Sequence, residues 1–360
     1  MNQLEKRLAN LHNRKYCKLT GNGTTALYLA LLSQAYTNKK VAIPNNVCMN
    51  VILPIYFSEN IPVFIDIEKD TLGLNISKLQ GKEIDSLIAV HSYGNICNIN
   101  TIEEYCKEKN IFLIEDVAVA QGLSFENKPI GSFGDVSILS FGSGKNIDIE
   151  HGGAILTNDE KIFQSIKEHL ATLPDFSIEK EKALDSISKQ HTKVYNLDYG
   201  NSLNKHHQEF KSICLQNKDN FLFKFDSSFS DKLNHGLDNL ENLISLRKRN
   251  AEYLNNRLKN IQGITILEPK NGSSYWRFNI FIENYRDELF SYLLSKKYKV
   301  SSWYHSVDLL FEKRLDIDTP VSDWVSENII NIWVNEEIDK NYLDDISEDI
   351  IIFLKEKYGN

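Results

Sequence analysis

Short apolar runs separated by helical patterns organise the first half of this chain. Continuous apolar stretches occur at residues 41–44, 63–67, 87–91, 111–116, 136–139 and 154–157. Runs that are apolar throughout predict strands buried on both faces. Apolar residues three and four positions apart predict helices over residues 3–12, 47–58, 101–109 and 159–170, and a further helix that starts near Gly23. Strands that alternate with helices predict an α/β fold in which helices sandwich a mostly parallel sheet.

The pattern changes in the second half of the chain. Residues 175–225 are rich in polar residues, show no clear periodicity, and are interpreted as an insertion or lid. From Ser230, leucines at helical spacing predict one long helix that connects two domains. After Gly263, the pattern predicts a smaller α+β domain with strands at 276–282, 300–304 and 329–334 and helices at 287–296 and 342–357. Because 360 residues exceed the size of one core, we expect a large domain over residues 15–240 and a small domain over 241–360 together with 1–14.

Composition narrows the classes of partner. A net charge of −8 gives no overall attraction to nucleic acid or to an anionic membrane, so small molecules are the expected partners. The five cysteines are scattered without a C-x-x-C pair, which favours neither a disulfide framework nor a zinc site. His206 and His207 are adjacent and therefore point apart, so no metal site is expected. The chain shows neither a signal-like start nor the roughly 18 apolar residues of a membrane helix, so we expect a cytoplasmic protein.

Lys145 lies in a loop between two of the predicted strands. The loop, residues 140–146, contains serines and glycines that allow a tight turn to aim the lysine inward. A lysine held in this way can form a Schiff base with a carbonyl group. Taken alone, however, a lysine in such a loop is more commonly a solvated surface residue.

Two further features change the interpretation of Lys145. Gly23, Thr24 and Thr25 open a predicted helix, where Thr24 can cap the first turn and the exposed amides can bind an anion. Asp116 ends a predicted strand, and the carboxyl ends of parallel strands are where functional sites form. Each feature also has an ordinary explanation as part of a helix cap.

Four segments in this order resemble one family. They are residues 23–27, residues 114–122 with Asp116 and Gln121, residues 140–146 with Lys145, and residues 151–159. Together they resemble the DegT/StrS-type nucleotide-sugar aminotransferases, which are pyridoxal phosphate (PLP) enzymes of fold type I. The resemblance spans about residues 15–350. It implies a large domain like that of aspartate aminotransferase and a smaller C-terminal domain.

The resemblance implies a role for each matched residue. Lys145 would hold PLP as a Schiff base and carry the proton, and Asp116 would pair with the pyridine nitrogen. The remaining cofactor contacts would come from Gly23, Thr24, Thr25, Cys48, Gln121 and Ser140, and from Ser227 of the neighbouring subunit in a homodimer. The chain departs from the family pattern at Val119, which replaces a polar contact to the ring, and at Asp226, whose carboxylate would lie near the phosphate.

The resemblance also implies a substrate pocket and a reaction. Tyr93, His151, Arg277 and Tyr304 match family segments near the active site, although each has an ordinary structural role as an alternative. The expected reaction transfers an amino group from an amino acid, with glutamate as the expected donor, to a keto group of a nucleotide-linked deoxysugar in glycan biosynthesis. The alternatives are a related PLP sugar dehydratase, although such dehydratases carry histidine at the lysine position, and a non-catalytic binding or regulatory protein.

Overall fold

A computed structural model describes residues 1–34, 37–195, 203–312 and 317–359. Its strands are β1 (Tyr16–Thr20), β2 (Lys40–Pro44), β3 (Ile61–Ile65), β4 (Ser86–Val90), β5 (Phe112–Asp116), β6 (Ser124–Phe125), β7 (Lys128–Pro129), β8 (Val136–Ser140), β9 (Gly153–Thr157), β10 (Phe278–Phe281), β11 (Val300–Ser301) and β12 (Ile329–Ile332). Its α-helices are α1 (Gln3–Leu11), α2 (Gly23–Leu32), α3 (Met49–Phe57), α4 (Ile99–Lys109), α5 (Glu160–Thr172), α6 (Ile178–Tyr195), α7 (Leu203–Gln216), α8 (Lys218–Phe221), α9 (Ser230–Leu258), α10 (Arg286–Ser295), α11 (Asp308–Phe311), α12 (Pro320–Asn328) and α13 (Lys340–Tyr358).

Seven strands form the main sheet in the order β1-β9-β8-β5-β4-β2-β3. Strand β9 pairs antiparallel with β1 and β8, whereas the other pairs in the sheet are parallel. Every residue of β4, β8 and β9 is buried, as their continuous apolar sequences predict. The mostly parallel sheet is therefore confirmed, and the carboxyl ends of β4, β5 and β8 meet at one edge.

Alternate residues of the central strands pack into two different cores. In β4, Ile88 and Val90 join the core that contains helices α2, α3 and α5. Leu87 and Ala89 join a second core with α1, α4 and the first half of α9. Because successive side chains of a strand point to opposite faces, these two cores cover the two faces of the sheet. The helices thus sandwich the sheet, as predicted.

A third core lies in the C-terminal part of the chain. It packs the second half of α9 against β10, β12, α10 and α13, and we call these elements the C-terminal unit. Strand β12 pairs antiparallel with both β10 and β11. The 29-residue helix α9 contributes Leu233 to the second core and Leu254 to the third. Helix α9 is thus continuous across residue 240, and the predicted domain division at that position stays a prediction.

Helix α1 packs with the main sheet and not with the C-terminal unit. Leu4 and Leu8 are buried in the second core. The carboxylate of Glu5 accepts hydrogen bonds from Lys18 Nζ at 2.9 Å and from the Leu19 amide at 3.2 Å. These contacts correct the expectation that residues 1–14 belong to the small domain, because the amphipathic pattern of α1 shows which face is buried and not what covers it.

The polar segment 175–225 contains regular structure where the sequence predicts none. Helices α6, α7 and α8 form most of its described part, and Phe210 is buried in the core that contains α2 and α3. Lys211 Nζ lies 2.6 Å from Glu312 Oε1, which also accepts a hydrogen bond from the Tyr56 hydroxyl at 2.5 Å. The segment is therefore packed into the fold on one face. The side chains of His206 and His207 lie outside the described residues.

Within the described ranges, none of the helices combines the length and the apolar character that crossing a membrane requires.

Candidate active site

Asp116 is the last residue of β5, at the edge where the parallel strands end. Its side chain is 4% exposed, and Oδ1 accepts a hydrogen bond from the Ala118 amide at 2.9 Å. This is the carboxylate's one hydrogen bond within the described part of the chain. Burial raises the pKa of Asp116, while the Ala118 amide and the positive charge of Lys145 act in the opposite direction. A buried carboxylate with spare acceptor capacity is suited to bind a cationic N–H group.

Lys145 lies on the loop that follows β8, and the loop fixes its own shape. The Lys145 amide donates to the Gly142 carbonyl at 3.1 Å, and the Gly144 amide donates to Asp148 Oδ2 at 2.6 Å. Gly144 has a φ of +77°, in the left-handed region that glycine adopts without strain. The half-buried Lys145 is therefore presented from a defined turn and not from a free surface loop.

The C-terminal unit and the residues next to it hold this loop from the other side. The Trp276 indole Nε1 donates to the Gly144 carbonyl at 2.5 Å, and Arg247 Nη2 donates to the Lys145 carbonyl at 3.5 Å. Lys145 Nζ lies 5.9 Å from the centroid of the Trp276 ring. Trp276 and Arg247 therefore position Lys145. No local sequence pattern links either residue to the loop, so their role could not be predicted from the sequence.

The turn before α2 is built as the sequence predicts, but a different residue caps it. Asn22 is the N-cap, and its Oδ1 accepts a hydrogen bond from the Thr25 amide at 2.7 Å. The proposed cap, Thr24, is the second residue of the helix and is buried. The Thr25 hydroxyl donates to the Phe221 carbonyl and accepts from the Phe223 amide, each at 3.3 Å. Thr25 thus anchors the chain that returns from the helical segment.

Gly23, Ser140 and Gln121 come together at this edge of the sheet. A Cβ atom on Gly23 would lie 3.0 Å from Ser140 Cβ and 3.2 Å from its Oγ, so β8 approaches the start of α2 closely. Gln121 is fully buried, and its Nε2 donates to the Ser140 carbonyl at 2.9 Å. Gln121 Oε1 has no hydrogen-bond partner among the described residues. A buried polar atom without a partner is unusual and is consistent with a ligand contact.

Cys48 lies at the start of α3, within the electrostatic reach of the same site. It is the N-cap residue of α3 and makes no capping hydrogen bond with its side chain. Burial raises the pKa of its thiol, Lys145 acts to lower it, and Asp116 acts to raise it further. The charges of Lys145 and Asp116 thus both act on Cys48, and a contact of Cys48 with the cofactor stays a prediction.

Val119 connects the site to the C-terminal part of the chain through its backbone. The Val119 carbonyl accepts hydrogen bonds from Asn146 Nδ2 at 3.2 Å and from Ser274 Oγ at 2.6 Å. Its side chain is buried in a small apolar cluster with Tyr93 and Trp276. The Val119 side chain is therefore packed among apolar residues. It cannot make the polar contact that the family makes at this position.

Three of the four predicted substrate residues meet near Lys145. The Tyr93 hydroxyl accepts a hydrogen bond from the Tyr304 amide at 3.1 Å, and the Tyr304 ring stacks on Trp276 at a centroid distance of 6.3 Å. The Arg277 guanidinium carbon lies 4.3 Å from the Trp276 ring centroid and 3.8 Å from that of Trp333. Tyr93, Arg277 and Tyr304 therefore form one wall, although Tyr93 uses its hydroxyl to hold Tyr304.

His151 lies in a different cluster. Its ring is 4.6 Å from the Phe176 centroid and 5.6 Å from that of Phe229, and its Nε2 lies 3.4 Å from Glu181 Oε1. These contacts tie the loop after Lys145 to the helical segment 175–225. The structure therefore gives His151 a packing role and does not place it among the other three predicted substrate residues.

Ser227 lies in an exposed turn that precedes α9. The Asp226 side chain caps this turn by accepting a hydrogen bond from the Ser228 amide at 2.9 Å. Ser227 is exposed and makes no hydrogen bond to Lys145 or to the start of α2 within the described residues. The capping bond gives Asp226 a local role, and a contact of Ser227 with a neighbouring subunit stays a prediction.

Comparison with known proteins decides the family. A model of the DegT/DnrJ/EryC1/StrS aminotransferase family matches residues 1–351. The chain belongs to this family. GDP-perosamine synthase from Escherichia coli O157:H7 is 32% identical over 165 residues, which cover 45% of this chain and 45% of that protein. The chain thus aligns with less than half the length of this relative.

Solved structures with low sequence identity share the fold. A DegT DnrJ EryC1 StrS aminotransferase from Brucella abortus has a TM-score of 0.76 at 20% identity, covering 98% of this chain and 89% of that one. The E. coli GDP-4-keto-6-deoxy-D-mannose-3-dehydratase has a TM-score of 0.74 at 20% identity, covering 96% and 90%. The predicted fold and family resemblance are therefore confirmed.

The close approach of β9 to the turn before α2 gives a first prediction for this family member. A Cβ atom on Gly153 would lie 2.5 Å from the backbone C and O of Asn22 and 2.8 Å from the Gly23 amide. Gly153→Ala is therefore expected to displace the turn, to cost about 1–3 kcal/mol of stability, and to weaken PLP binding about tenfold or more. Thermal unfolding and titration with PLP measure the two effects.

Gly142→Ala is the matched control for Gly153→Ala. A Cβ atom on Gly142 would lie 3.7 Å from its nearest neighbour, the Glu150 carbonyl oxygen, which is an ordinary contact. We expect this variant to bind PLP like the unaltered protein. Equal loss in both variants would contradict the role given to the turn.

Asp116→Asn is expected to stabilise the cofactor-free protein at neutral pH while lowering its activity about 100-fold or more. Burial raises the pKa of Asp116, so its stabilising contribution is full below the ordinary pKa of an aspartate and is lost as the pH rises through the higher folded-state pKa. The side-chain amide of asparagine cannot ionise, so the Asp116→Asn variant does not lose this stability as the pH rises. Thermal unfolding between about pH 4 and pH 8 measures how steeply stability changes with pH in the variant and in the unaltered protein. The exposed Asp185→Asn in α6 serves as the control and should leave both quantities unchanged.

Proposed function

We propose that this protein is a PLP-dependent aminotransferase that moves an amino group from an amino acid, with glutamate as the expected donor, to a keto group of a nucleotide-linked deoxysugar. The single observation that carries the proposal is that the buried Asp116, at the end of β5, and Lys145, on the loop after the neighbouring parallel strand β8, lie at the same carboxyl edge of the sheet. The family match over residues 1–351 and the similarity to GDP-perosamine synthase support the substrate class.

The residues at this edge fit PLP. Asp116 offers a buried carboxylate for a protonated ring nitrogen, and the start of α2, with Ser140 close to Gly23, offers backbone amides and a hydroxyl to a phosphate. The first amides of a helix have no partner within the helix, and they favour an anion through the helix dipole. The unpartnered oxygen Oε1 of Gln121 is available to a polar group of the cofactor.

Different residues of the chain would have different roles in the proposed reaction. When bound, PLP supplies an electron-withdrawing ring that stabilises negative charge at the reacting carbon. Lys145 would hold the cofactor covalently and, when released, use its amine to move a proton between carbon atoms. Asp116 would keep the proton on the ring nitrogen. Trp276 and Arg247 hold the backbone of the Lys145 loop, so the amine works from a fixed position.

We also propose that the active form is a homodimer. The exposed Ser227 turn would complete the phosphate site of the neighbouring subunit, as the family resemblance implies. Light scattering of the purified protein tests the assembly. Mixing a Lys145→Ala subunit with a Ser227→Ala subunit tests shared sites, since a mixed dimer would contain one site that carries both lesions and one intact site.

Lys145 argues against the dehydratase alternative, because the related dehydratases carry histidine at this position. Their shared fold does not separate the two reactions, since the dehydratase with a TM-score of 0.74 superposes as well as the aminotransferases do.

Absorbance of the PLP-loaded protein tests the proposed reaction. Glutamate added without sugar is expected to bleach the near-visible band as the amino group passes to the cofactor, and a nucleotide-linked keto sugar is expected to restore it. If the band forms but no amino donor changes it while the sugar is dehydrated, the aminotransferase proposal is wrong. If no band forms with excess PLP, the protein is not a PLP enzyme.

A further inference from the structure

We propose that Lys211 on helix α7 is a positioning residue for the nucleotide-linked sugar, because its ion pair with Glu312 holds residues 303–312, and with them Tyr304, in place. This inference rests on the proposed aminotransferase function and names a residue outside the site on which sugar binding depends. It is carried by the contacts that join helix α7, the end of β2 and the Lys145 loop to one part of the chain, which we call the 303–312 segment.

The 303–312 segment connects the C-terminal unit to the core of the main sheet. Strand β11, just before the segment, pairs with β12 of the C-terminal unit. Leu309, Leu310 and Phe311 are then buried in the core that contains α2 and α3, and all four residues of α11 are buried. The segment therefore starts on one unit and ends on the other, so its course depends on what holds each part of it.

The first part of the segment carries Tyr304 at the wall beside the Lys145 loop. The Tyr304 amide donates to the Tyr93 hydroxyl at 3.1 Å. The Tyr304 ring is nearly parallel to that of Trp276, with an interplanar angle of 4° and 6.3 Å between the centroids. Trp276 in turn donates to the Gly144 carbonyl, next to Lys145. A shift of the segment would therefore move Tyr304 relative to the loop that presents Lys145.

The middle of the segment is fixed at the carboxyl end of β2. Asn45, the first residue after β2, is fully buried, and its carbonyl accepts a hydrogen bond from the Val307 amide at 2.7 Å. The Asn45 side chain donates to Asp308 Oδ1 at 2.6 Å and accepts from the Asp308 amide at 3.1 Å. Buried polar contacts of this kind hold the start of α11 in one place. The segment thus follows the carboxyl edge of the sheet from Tyr93, after β4, to the end of β2.

Lys211 and Tyr56 fix the last part of the segment through Glu312. Lys211 Nζ lies 2.6 Å from Glu312 Oε1, and the Tyr56 hydroxyl donates to the same oxygen at 2.5 Å. The side chains of Lys211 and Glu312 are 26% and 36% exposed, so the pair is partly shielded from solvent and salt. The ring of Phe210, the residue before Lys211, lies 5.7 Å from that of Phe311. Helix α7 therefore holds the end of α11 both by charge and by packing.

The order of the strands indicates which substrate the segment serves. Lys145 follows β8, whereas Asn45 follows β2, three strands away in the order β8-β5-β4-β2. Neighbouring strands are about 4.8 Å apart, so the segment extends to roughly 14 Å from the end of β8. Glutamate, with its chain of five carbon atoms, spans roughly 6 Å. A sugar linked through a diphosphate to a nucleoside is much longer. The segment is therefore placed to affect binding of the nucleotide-linked sugar more than binding of the amino acid.

Hydrogen–deuterium exchange of the PLP-loaded protein tests whether Lys211 holds the segment. Lys211→Met removes the charge and keeps an apolar side chain on α7, so we expect amide exchange in the 303–312 segment to become about 3- to 10-fold faster. Exchange in α13 should stay unchanged. Lys39→Met is the matched control, because Lys39 forms a pair of similar exposure with Asp85 at 3.1 Å, at the amino ends of β2 and β4 on the opposite edge of the sheet. Unchanged exchange of the segment in Lys211→Met would overturn the inference.

Binding of unreactive ligands tests the effect on the site. GDP-mannose and dTDP-glucose have no keto group, and 2-methylglutamate has no α-hydrogen, so none of them completes the reaction. For the nucleotide sugar that binds more tightly, Lys211→Met is expected to raise the Kd about 3- to 10-fold, whereas the Kd of 2-methylglutamate should change less than about twofold. Lys211→Arg keeps the ion pair and should bind the nucleotide sugar to within about twofold of the unaltered protein.

A second variant and the melting temperature separate positioning from a merely structural role. Tyr56→Phe removes the other donor to Glu312 and keeps the ring, so it should weaken nucleotide-sugar binding in the same selective way. Equal weakening of both kinds of ligand in Lys211→Met would overturn the inference. A lower melting temperature of Lys211→Met with unchanged binding of the nucleotide sugar would also overturn it.

The same variants separate this inference from the proposed function. If the unaltered protein transfers no amino group to any keto sugar but Lys211→Met selectively loses nucleotide-sugar binding, the positioning role stands and the proposed reaction fails. If amino transfer proceeds in Lys211→Met with an unchanged KM for the keto sugar, the reaction stands and the positioning role is wrong.

Discussion

Lys145→Ala is expected to lower kcat at least 1,000-fold and to abolish the near-visible absorbance that PLP shows when it is joined to the lysine. Lys145 lies in the turn after β8, at the same edge of the sheet as the buried Asp116, and Trp276 and Arg247 hold the backbone of its loop. Removing the amine removes both the covalent attachment and the group that moves the proton. Absorbance, borohydride trapping followed by mass spectrometry, and steady-state kinetics measure the loss.

The fold should survive this substitution, which makes the result interpretable. The backbone of Lys145 makes the turn contact to Gly142, and alanine preserves that contact. Lys232→Ala is a suitable control, because Lys232 is an exposed lysine of α9 that pairs with Glu150 at 3.1 Å and has no place in the proposed reaction. Retained cofactor attachment in Lys145→Ala, with a trapped adduct on another lysine, would move the catalytic role to that residue.

The placement of Lys145 and Asp116 was predictable because it follows from a rule of sheet topology. Parallel strands end at one edge, so residues that follow the buried runs 111–116 and 136–139 had to meet there. Trp276, Arg247 and Trp333 were not predictable in the same way. They lie about 100 or more residues beyond Lys145, and their contacts with the loop and with Arg277 depend on how the C-terminal unit docks, which no local periodicity encodes.

The errors in the predicted fold have similar physical reasons. Strand β1 was missed because Lys18 interrupts its apolar pattern, and it lies at the edge of the described sheet, paired with β9. Helices α6 and α7 were missed because they are mostly polar and bury few side chains, Ile187 and Phe210 among them. The cap was assigned to Thr24 because asparagine and threonine both cap helices, and a two-residue shift of the boundary decides between them.

Glu115→Ala is expected to destabilise the protein by about 3–5 kcal/mol, the largest effect on stability that we predict for one substitution. Glu115 precedes Asp116 in β5, so its side chain points to the opposite face of the sheet. It is fully buried and accepts hydrogen bonds from the amides of Gly131 at 2.6 Å and Phe133 at 2.9 Å. Its neighbour Arg14 lies 3.9 Å away and is itself buried.

Alanine at position 115 would leave buried donors without an acceptor. Arg14 would lose its carboxylate partner, and the amides of residues 131, 133 and 134 would lose their acceptor. His91 would lose the partner of its Nε2, which lies 3.3 Å from Glu115. Its Nδ1 accepts the Cys97 amide at 3.3 Å, so the ring proton lies on Nε2 and is donated to the carboxylate. Glu115→Ala therefore breaks several interactions of a buried network and not a single hydrogen bond.

The pH dependence of unfolding identifies Glu115 as the cause. Burial by itself raises the pKa of Glu115, but the contacts from His91, the Gly131 amide and Arg14 lower it below its ordinary value. The stability from Glu115 is therefore present above the ordinary glutamate pKa and is lost as the pH falls through the lower folded-state pKa. Urea unfolding should show this acid-dependent term in the unaltered protein and not in Glu115→Ala. Glu252→Ala, which breaks the exposed pair with Lys248 at 3.9 Å, should cost less than about 1 kcal/mol. Similar losses in the two variants would mean that the Glu115 network contributes no more than a surface ion pair.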